Sequence, residues 1–131
     1  MAVPALFSQS YDVIASPADA TATVVAAVGG VSVSLPGQTV KLHGWINIDT
    51  SADTDLITLE VRSTDINGSV INNAVSVAFV TGADSGGQEV NIYVEDPDTN
   101  VAGATYVLIV TCDAATTAAT VNEVILEARV D

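Results

Sequence analysis

The chain has 131 residues, of which 49% are hydrophobic, 16 are acidic and only 3 are basic, giving a formal net charge of -13 at pH 7. A field of this sign repels phosphate backbones and anionic lipid, so the composition argues against nucleic acid and membrane surfaces as partners. No apolar run approaches the roughly 20 residues of a membrane-spanning helix, and the length suits one core, so we expect a single soluble domain.

Eight strand-like segments follow one another along the chain, separated by clusters of glycine, proline, asparagine and aspartate. Each is rich in β-branched residues or alternates apolar with polar side chains, which is typical of strands. The segments 1–10 and 11–131 are predicted to be an N-terminal arm and one β-sandwich domain, respectively. The predicted strands are residues 11–15, 21–28, 39–48, 56–63, 70–80, 89–94, 105–111 and 120–130.

Alternation is clearest in the third predicted strand, where two sets of side chains take opposite parities. The apolar set predicts a core face and the polar set a solvent face. In the last strand the apolar residues Val121 and Val124 are out of step, which a β-bulge or a twist of the strand would explain. In the third strand the core set is Val40, Leu42, Gly44, Ile46 and Ile48, and the solvent set is Lys41, His43, Trp45 and Asn47.

The dipeptide Asn67-Gly68 stands between the fourth and fifth predicted strands. A type I′ turn needs positive φ at both central residues, and Asn-Gly supplies it. We therefore predict a tight hairpin that makes these two strands antiparallel neighbours.

Eight short strands with alternating faces predict an all-β fold, a two-sheet antiparallel sandwich, with a jelly roll favoured over an immunoglobulin-like sandwich. The immunoglobulin alternative is weakened because Cys112 is the only cysteine in the chain, so no internal disulfide can form. This cysteine lies in an apolar run and is predicted to be a buried, unreactive thiol.

His43 is the only imidazole, and neither a cysteine nor a second histidine lies beside it to share a metal ion. Serine nucleophiles need a positioned base, and no elbow motif is present. Paired carboxylates suggest a glycosidase, but such sites on sandwiches usually add aromatic platforms, and aromatics are only 5% of this chain. The residues 82–87 lack the lysine of a phosphate loop. We predict no enzyme, no catalytic residues and no cofactor, with His43 facing solvent or an interface.

Two acidic clusters suggest calcium, because hard cations take several oxygen ligands from a turn. The second cluster resembles the start of an EF-hand loop, but Val101 and Val107 replace its glycine and its bidentate glutamate. We therefore keep calcium as a hypothesis and predict no specific metal ligands. The clusters are Asp49, Asp53 and Asp55, and Glu95, Asp96, Asp98 and Asn100.

Several strand patterns together resemble the small jelly-roll proteins encoded among the structural genes of tailed viruses. The resemblance spans roughly residues 39–128, but Ser63-Thr64-Asp65 stands where that family shows more arginine. It implies a head decoration, turret or fibre component, often a homotrimer, made in the host cytoplasm and seated on the capsid surface beside the major capsid protein. It implies no catalytic residues. The patterns are LHGWINI (42–48), TDLITLEVR (54–62), Asn67-Gly68, GATYVLIV (103–110), AATV (118–121) and ILEA (125–128).

Other interpretations stay open. One interpretation is that the apolar residues of the arm, Val3, Pro4, Leu6 and Phe7, dock on a neighbouring subunit or on the capsid shell. The other is that the arm is merely frayed or covers an edge of its own sheet. A carbohydrate-binding β-sandwich module would use Trp45, Tyr93 or Tyr106 as a stacking platform. A cell-surface or spore-coat structural module is the third alternative.

Overall fold

The computed structural model describes residues 5–12, 22–50, 56–71, 75–78, 88–112 and 119–131. Within these ranges it forms eight strands, and no helix in the described part of the chain is long and apolar enough to cross a membrane. The strands are β1 (Ala5–Asp12), β2 (Thr23–Val31), β3 (Val40–Thr50), β4 (Leu56–Ser63), β5 (Val75–Ala78), β6 (Gln88–Asp96), β7 (Ala104–Cys112) and β8 (Ala119–Val130).

The strands form two four-stranded sheets, which we name sheet A (order β1-β8-β3-β6) and sheet B (order β2-β7-β4-β5). The antiparallel pairs are nested, because β4 pairs with β5, β3 with β6, β2 with β7 and β1 with β8. The chain is thus one long hairpin, and the further pairs β3·β8 and β4·β7 roll it into two layers. This is the double-sheet arrangement of a jelly roll, so the predicted fold class is confirmed.

The core lies between the inner faces of the two sheets. Alternation along β3 places its predicted core set inside, while the polar set stays at least partly accessible on the outer face. Sheet B contributes the opposing layer. The fully buried side chains with the largest volumes include Leu42, Ile46, Ile48, Ile57, Leu59, Ile92, Tyr106, Leu108 and Leu126.

The predicted bulge in the last strand is confirmed. Asn47 pairs with Glu123, but the next residue of β3, Ile48, pairs with Val121, so Asn122 is the extra residue of β8. Because of this insertion, Val121 and Val124 are both fully buried although they are three residues apart. The Asn122 amide donates to Oδ1 of Asn47 at 2.9 Å across the bulge.

The first strand begins earlier than predicted. Residues 5–12 pair with β8 from Ala5↔Val130 to Asp12↔Glu123, so the boundary predicted between an arm and the first strand falls inside β1. The segment forms the edge of sheet A beside β8, in agreement with the alternative that the arm covers an edge of its own sheet. The residues 1–4 and most of the predicted first strand, 13–15, lie outside the described residues.

The predicted type I′ turn at Asn67-Gly68 is wrong, but the predicted antiparallel pairing of the strands on either side of it is confirmed. The strands are antiparallel neighbours, with Arg62 bridging Val70 and β4 pairing with β5. However, neither residue of the dipeptide has positive φ, and Thr64 has φ 74° instead. Gly68 is needed for a different reason, since an added Cβ would lie 1.6 Å from the carbonyl oxygen of Ser63. The loop is therefore a wider one, in which the Asp65 carboxylate accepts from the Asn67 N–H at 2.8 Å.

Close packing between the sheets also requires a small residue at position 44. A Cβ there would lie 2.8 Å from Cγ2 of Ile92 and 3.0 Å from Cδ1 of Leu108, which belongs to the opposite sheet. We expect Gly44→Ala to lower the free energy of unfolding by about 1 to 3 kcal/mol, the usual cost of overpacking a core. Urea unfolding of both proteins measures the change.

Gly29→Ala is the matched control, because its added Cβ would make only an ordinary contact, 3.4 Å from Oγ1 of Thr105. Equal losses of stability in the two variants would contradict this account of the interface between the sheets.

Candidate binding surfaces

The outer face of sheet A carries the chemically richest side chains that the structure describes. Register places Tyr93 of β6 and Glu127 of β8 on either side of His43, and Asn91 and Ile125 on either side of Trp45. These side chains share one face because directly opposed residues of an antiparallel pair point the same way. The prediction that His43 faces solvent or an interface agrees with this position.

Tyr93 is the most exposed large apolar side chain of the described residues, at 72%. Its ring stacks on that of His43 with centroids 4.3 Å apart and an interplanar angle of 0°. Nε2 of His43 lies 2.8 Å from Oδ1 of Asn91, a hydrogen bond that the Nε2-protonated ring donates, and Glu127 lies 3.9 Å from Nδ1. The imidazole is thus held between polar neighbours, and it supports one side of the tyrosine ring.

Two of the chain's three lysine and arginine residues, Lys41 and Arg129, lie on this face and contact a single carboxylate. Nζ of Lys41 lies 2.5 Å from Oδ1 of Asp131, and Nε of Arg129 lies 2.7 Å from its Oδ2. The hydrogen bond from Lys41, followed by the charges of Arg129 and Lys41, lowers the pKa of Asp131. The third basic residue, Arg62, pairs with Glu60 on sheet B. Every cationic side chain except the histidine is therefore committed to a partner within the chain.

Tyr106 is a core residue, so it cannot serve as a stacking platform. It has no accessible surface, and its hydroxyl donates to Oδ2 of Asp96 at 2.6 Å. Burial, then this hydrogen bond and the charges of Asp96 and Asp98, raise the pKa of Tyr106 well above its ordinary value of 10.0. The pair anchors the loop that follows β6 to the core.

The acidic residues predicted as a second calcium cluster point to different places. Glu95 lies on the outer face of sheet A and accepts a hydrogen bond from Oγ1 of Thr39 at 2.7 Å. Asp96 and Asp98 instead accept backbone N–H groups of the following loop, from Asp98 and Asn100 respectively. Among the described residues no group of three or more His, Cys, Asp or Glu side chains could hold a metal ion.

The other sequence-predicted positions lie partly outside the description. In the first acidic cluster, Asp53 and Asp55 fall outside the described residues, as do residues 82–87. Cys112 is the last residue of β7, but its side chain is not among the described ones, so the buried, unreactive thiol stays a prediction.

A second surface lies at one end of the sandwich, where the loop between β2 and β3 meets the loop between β6 and β7. The two loops enclose an open cleft of about 580 Å³. None of its lining residues is charged. The lining consists of Val33, Ser34, Leu35, Pro36, Gly37, Thr99, Asn100, Val101 and Ala102.

The first of these loops is ordered by a turn and by a buried amide. Leu35 O accepts from the N–H of Gln38 at 3.3 Å and Gly37 has φ 85°, the pattern of a type II turn with proline in its second position. Gln38 is only 6% exposed, and its Oε1 accepts the N–H of Leu35 at 3.0 Å. Sequence reasoning missed this glutamine, although a polar residue directly after a Pro-Gly turn is a signal for such a side-chain bond.

Two further hydrogen bonds join the loops to each other. Val33 N–H donates to the carbonyl oxygen of Val101 at 2.9 Å, and the N–H of Gly103 donates to Oγ of Ser32 at 2.8 Å. The cleft is therefore a fixed feature of the fold, and its rim holds Leu35 out into solvent at 45% exposure.

Comparison with known proteins supports the fold alone. No protein-family model matches the sequence, and no curated protein matches it. In the crystal structure of the infectious bursal disease virus VP2 subviral particle, a chain superposes with a TM-score of 0.62 at 9% identity, over 95% of this chain and 32% of that one. The crystal structure of dimeric latent PorU from Porphyromonas gingivalis superposes with a TM-score of 0.56 at 11% sequence identity. The match covers 98% of this chain and 12% of PorU. A chain of the disulfide-linked pili of Bacillus endospore appendages matches 97% of this chain and 85% of its own length at 16% sequence identity. Its TM-score of 0.46 is too low to establish a shared fold.

The buried Tyr106 hydroxyl generates a prediction about stability and pH. Tyr106→Phe keeps the ring but removes the donor to Asp96, so we expect a loss of about 1 to 2 kcal/mol at neutral pH. Because the pKa of Tyr106 is raised on folding, the wild-type contribution is complete below pH 10.0 and declines as the pH rises through the folded pKa. The difference between the two proteins should therefore shrink in alkali. Denaturant unfolding across the pH range measures it.

Tyr93→Phe is the control, since it removes the hydroxyl of an exposed ring and should leave stability nearly unchanged. A gap between wild type and Tyr106→Phe that widens above pH 10.0 would contradict the assignment.

Proposed function

We propose that this chain is a non-enzymatic structural component of a virus particle, a decoration, turret or fibre subunit on the capsid surface. The observation that carries the proposal is the jelly roll itself, which superposes over 95% of its length on the VP2 chain of a viral particle. In this proposal the chain assembles with its own copies, as a homotrimer, and contacts the major capsid protein. It is made in the host cytoplasm and joins the particle there.

The charge distribution is compatible with this role. A formal charge of -13 keeps decorated particles apart in solution through mutual repulsion. The outer face of sheet A displays Glu89, Glu95 and Glu127 without a lysine or arginine partner, so an acidic exterior is built into one layer of the fold.

Particle composition tests the proposal. Particles from cells that carry the gene are purified by density gradient and washed in high salt, and their proteins are quantified by mass spectrometry. We expect the chain to remain at a fixed ratio to the major capsid protein, as a structural subunit would. A viral enzyme that acts outside the particle is the negative control. Recovery of the chain only in the unassembled fraction would contradict the proposal.

Carbohydrate binding is a second candidate function, and the exposed ring of Tyr93 favours it. On the same face of β6, Asn91 and Glu95 lie two residues to either side of the ring, so an amide and a carboxylate accompany an aromatic surface. A sugar stacks on such a ring and exchanges hydrogen bonds with such groups. Trp45 is partly buried and Tyr106 is fully buried, so Tyr93 is the platform in this candidate.

A glycan array tests the second candidate. If the chain binds a glycan, Tyr93→Ala should abolish the signal because the stacking surface is lost. Val70→Ala, a change at an exposed apolar residue of the loop after β4, should not affect it. Absence of any glycan signal, or a signal that survives Tyr93→Ala, would remove this candidate.

A further inference from the structure

The outer face of sheet A carries several carboxylates that pair with no lysine or arginine of the chain. The two cationic residues of this face, Lys41 and Arg129, are both held by Asp131. A molecule with positive charge is therefore attracted to the face, and one with negative charge is repelled. Register places four glutamates on it, namely Glu89, Glu95, Glu123 and Glu127.

Tyr93 projects from the same face with one side of its ring covered and the other open. His43 covers the first side, since the two rings are parallel with centroids 4.3 Å apart. Because His43 belongs to β3, the open side is turned away from that strand, toward the edge of the sheet that β6 forms. The ring is 72% exposed, so a flat group has room to stack on its open side.

The ring is held in place before any ligand arrives. The imidazole beneath it is fixed by Asn91, whose Oδ1 lies 2.8 Å from Nε2 of His43. The strand that carries the ring pairs with β3 without interruption from Gln88 to Asp96. Stacking on this support restricts the rotation of the Tyr93 side chain, so little conformational entropy is lost on binding.

The ring and its neighbouring carboxylate together favour a planar cation. The face of an aromatic ring attracts positive charge, and a guanidinium group can also stack flat on it. Glu95 lies two residues from Tyr93 on the same side of β6, about 7 Å along the strand. Its Oε1 accepts a hydrogen bond from Thr39, which positions the carboxylate. Oε2 is then placed to accept an N–H of a guanidinium that lies on the ring.

A second copy of this chain is a poor source of that guanidinium. The chain has two arginines, and both form ion pairs, Arg62 with Glu60 and Arg129 with Asp131. If two copies met through this face, carboxylates would also oppose carboxylates. A different, basic molecule fits the face better.

We infer that the outer face of sheet A binds an arginine-bearing, basic segment of another protein, with the guanidinium on the open side of the Tyr93 ring and an N–H on Glu95. The inference rests on the proposed structural role and specifies the chemistry of the partner in the particle. A peptide segment is favoured over one sugar ring because the carboxylates extend along β6 to Glu89, about 20 Å from Glu95.

An NMR titration of the full chain with capped tripeptides tests the inference. The probe is Gly-Arg-Gly, and two matched probes replace its arginine by citrulline, which keeps the plane without the charge, or by lysine, which keeps the charge without the plane. We expect saturable shift changes at Tyr93, Asn91 and Glu95 with the arginine probe. Binding should be weaker with the lysine probe and absent with the citrulline probe.

Variants locate the contact. Tyr93→Ala should weaken binding of the arginine probe by about fivefold or more, since the cation–π contact is lost, whereas Tyr93→Phe keeps the ring and should bind as wild type. Glu95→Gln should also weaken binding. Glu123→Gln is its matched control, because it removes the same charge from β8 and should leave binding nearly unchanged. Circular dichroism confirms that each variant is folded.

Three results would overturn the inference: no saturable shift with the arginine probe, equal binding of the citrulline probe, or arginine binding that survives Tyr93→Ala. A glucosamine trisaccharide is titrated separately. Tighter binding of this sugar than of the arginine probe at Tyr93 would also overturn the inference, in favour of a saccharide site. The titrations involve no particles, so their failure is distinguishable from absence of the chain from purified particles.

Discussion

The parity of side chains along β3 and β8, the two central strands of sheet A, is the constraint on which the rest of the structure depends. Each strand is paired on both sides, so a shift of one residue in either would turn its buried set toward water. The bulge at Asn122 preserves this parity, because the extra residue lets Val121 and Val124, three positions apart, both face the core. The outer face, with His43, Tyr93 and Trp45, is a consequence of the same parity.

Much of this could be read from the sequence, because alternation and β-branched runs report burial directly. The strands β3, β4, β7 and β8 were located to within two residues for that reason. Two local features could not be read in this way. The start of β1 at Ala5 could not be predicted, because residues 5–12 pair with β8, which is far away in the sequence, and the local residue pattern does not report such pairing. At Gly68 the glycine is explained by the approach of Ser63, whereas the dipeptide rule assumes positive φ.

The candidate surfaces, like the fold, could be predicted from the sequence only in part. Parity placed Trp45 on the outer face of its strand, but the register that brings Tyr93 to the same face involves another strand. The burial of Tyr106 and its hydrogen bond to Asp96 join a strand of sheet B to one of sheet A, which local parity does not report. The cleft joins loops more than sixty residues apart in the chain, as the bond from Val33 to Val101 shows. The signals of the cleft in the sequence are local, such as Gln38 directly after Pro36-Gly37, and they do not show that the two loops meet.

Each of the three lysine and arginine residues forms an ion pair with a carboxylate of the chain. Lys41 and Arg129 meet at Asp131, and Arg62 pairs with Glu60 beside Val107 and Ile109, two buried residues on the outer parity of β7. Because the chain has no further lysine or arginine, the remaining carboxylates, among them Glu89, Glu95 and Glu127 on the outer face of sheet A, have no such partner. Tyr93 projects from the middle of β6 on this same face, so the exposed aromatic ring and the carboxylates without a lysine or arginine partner share one surface.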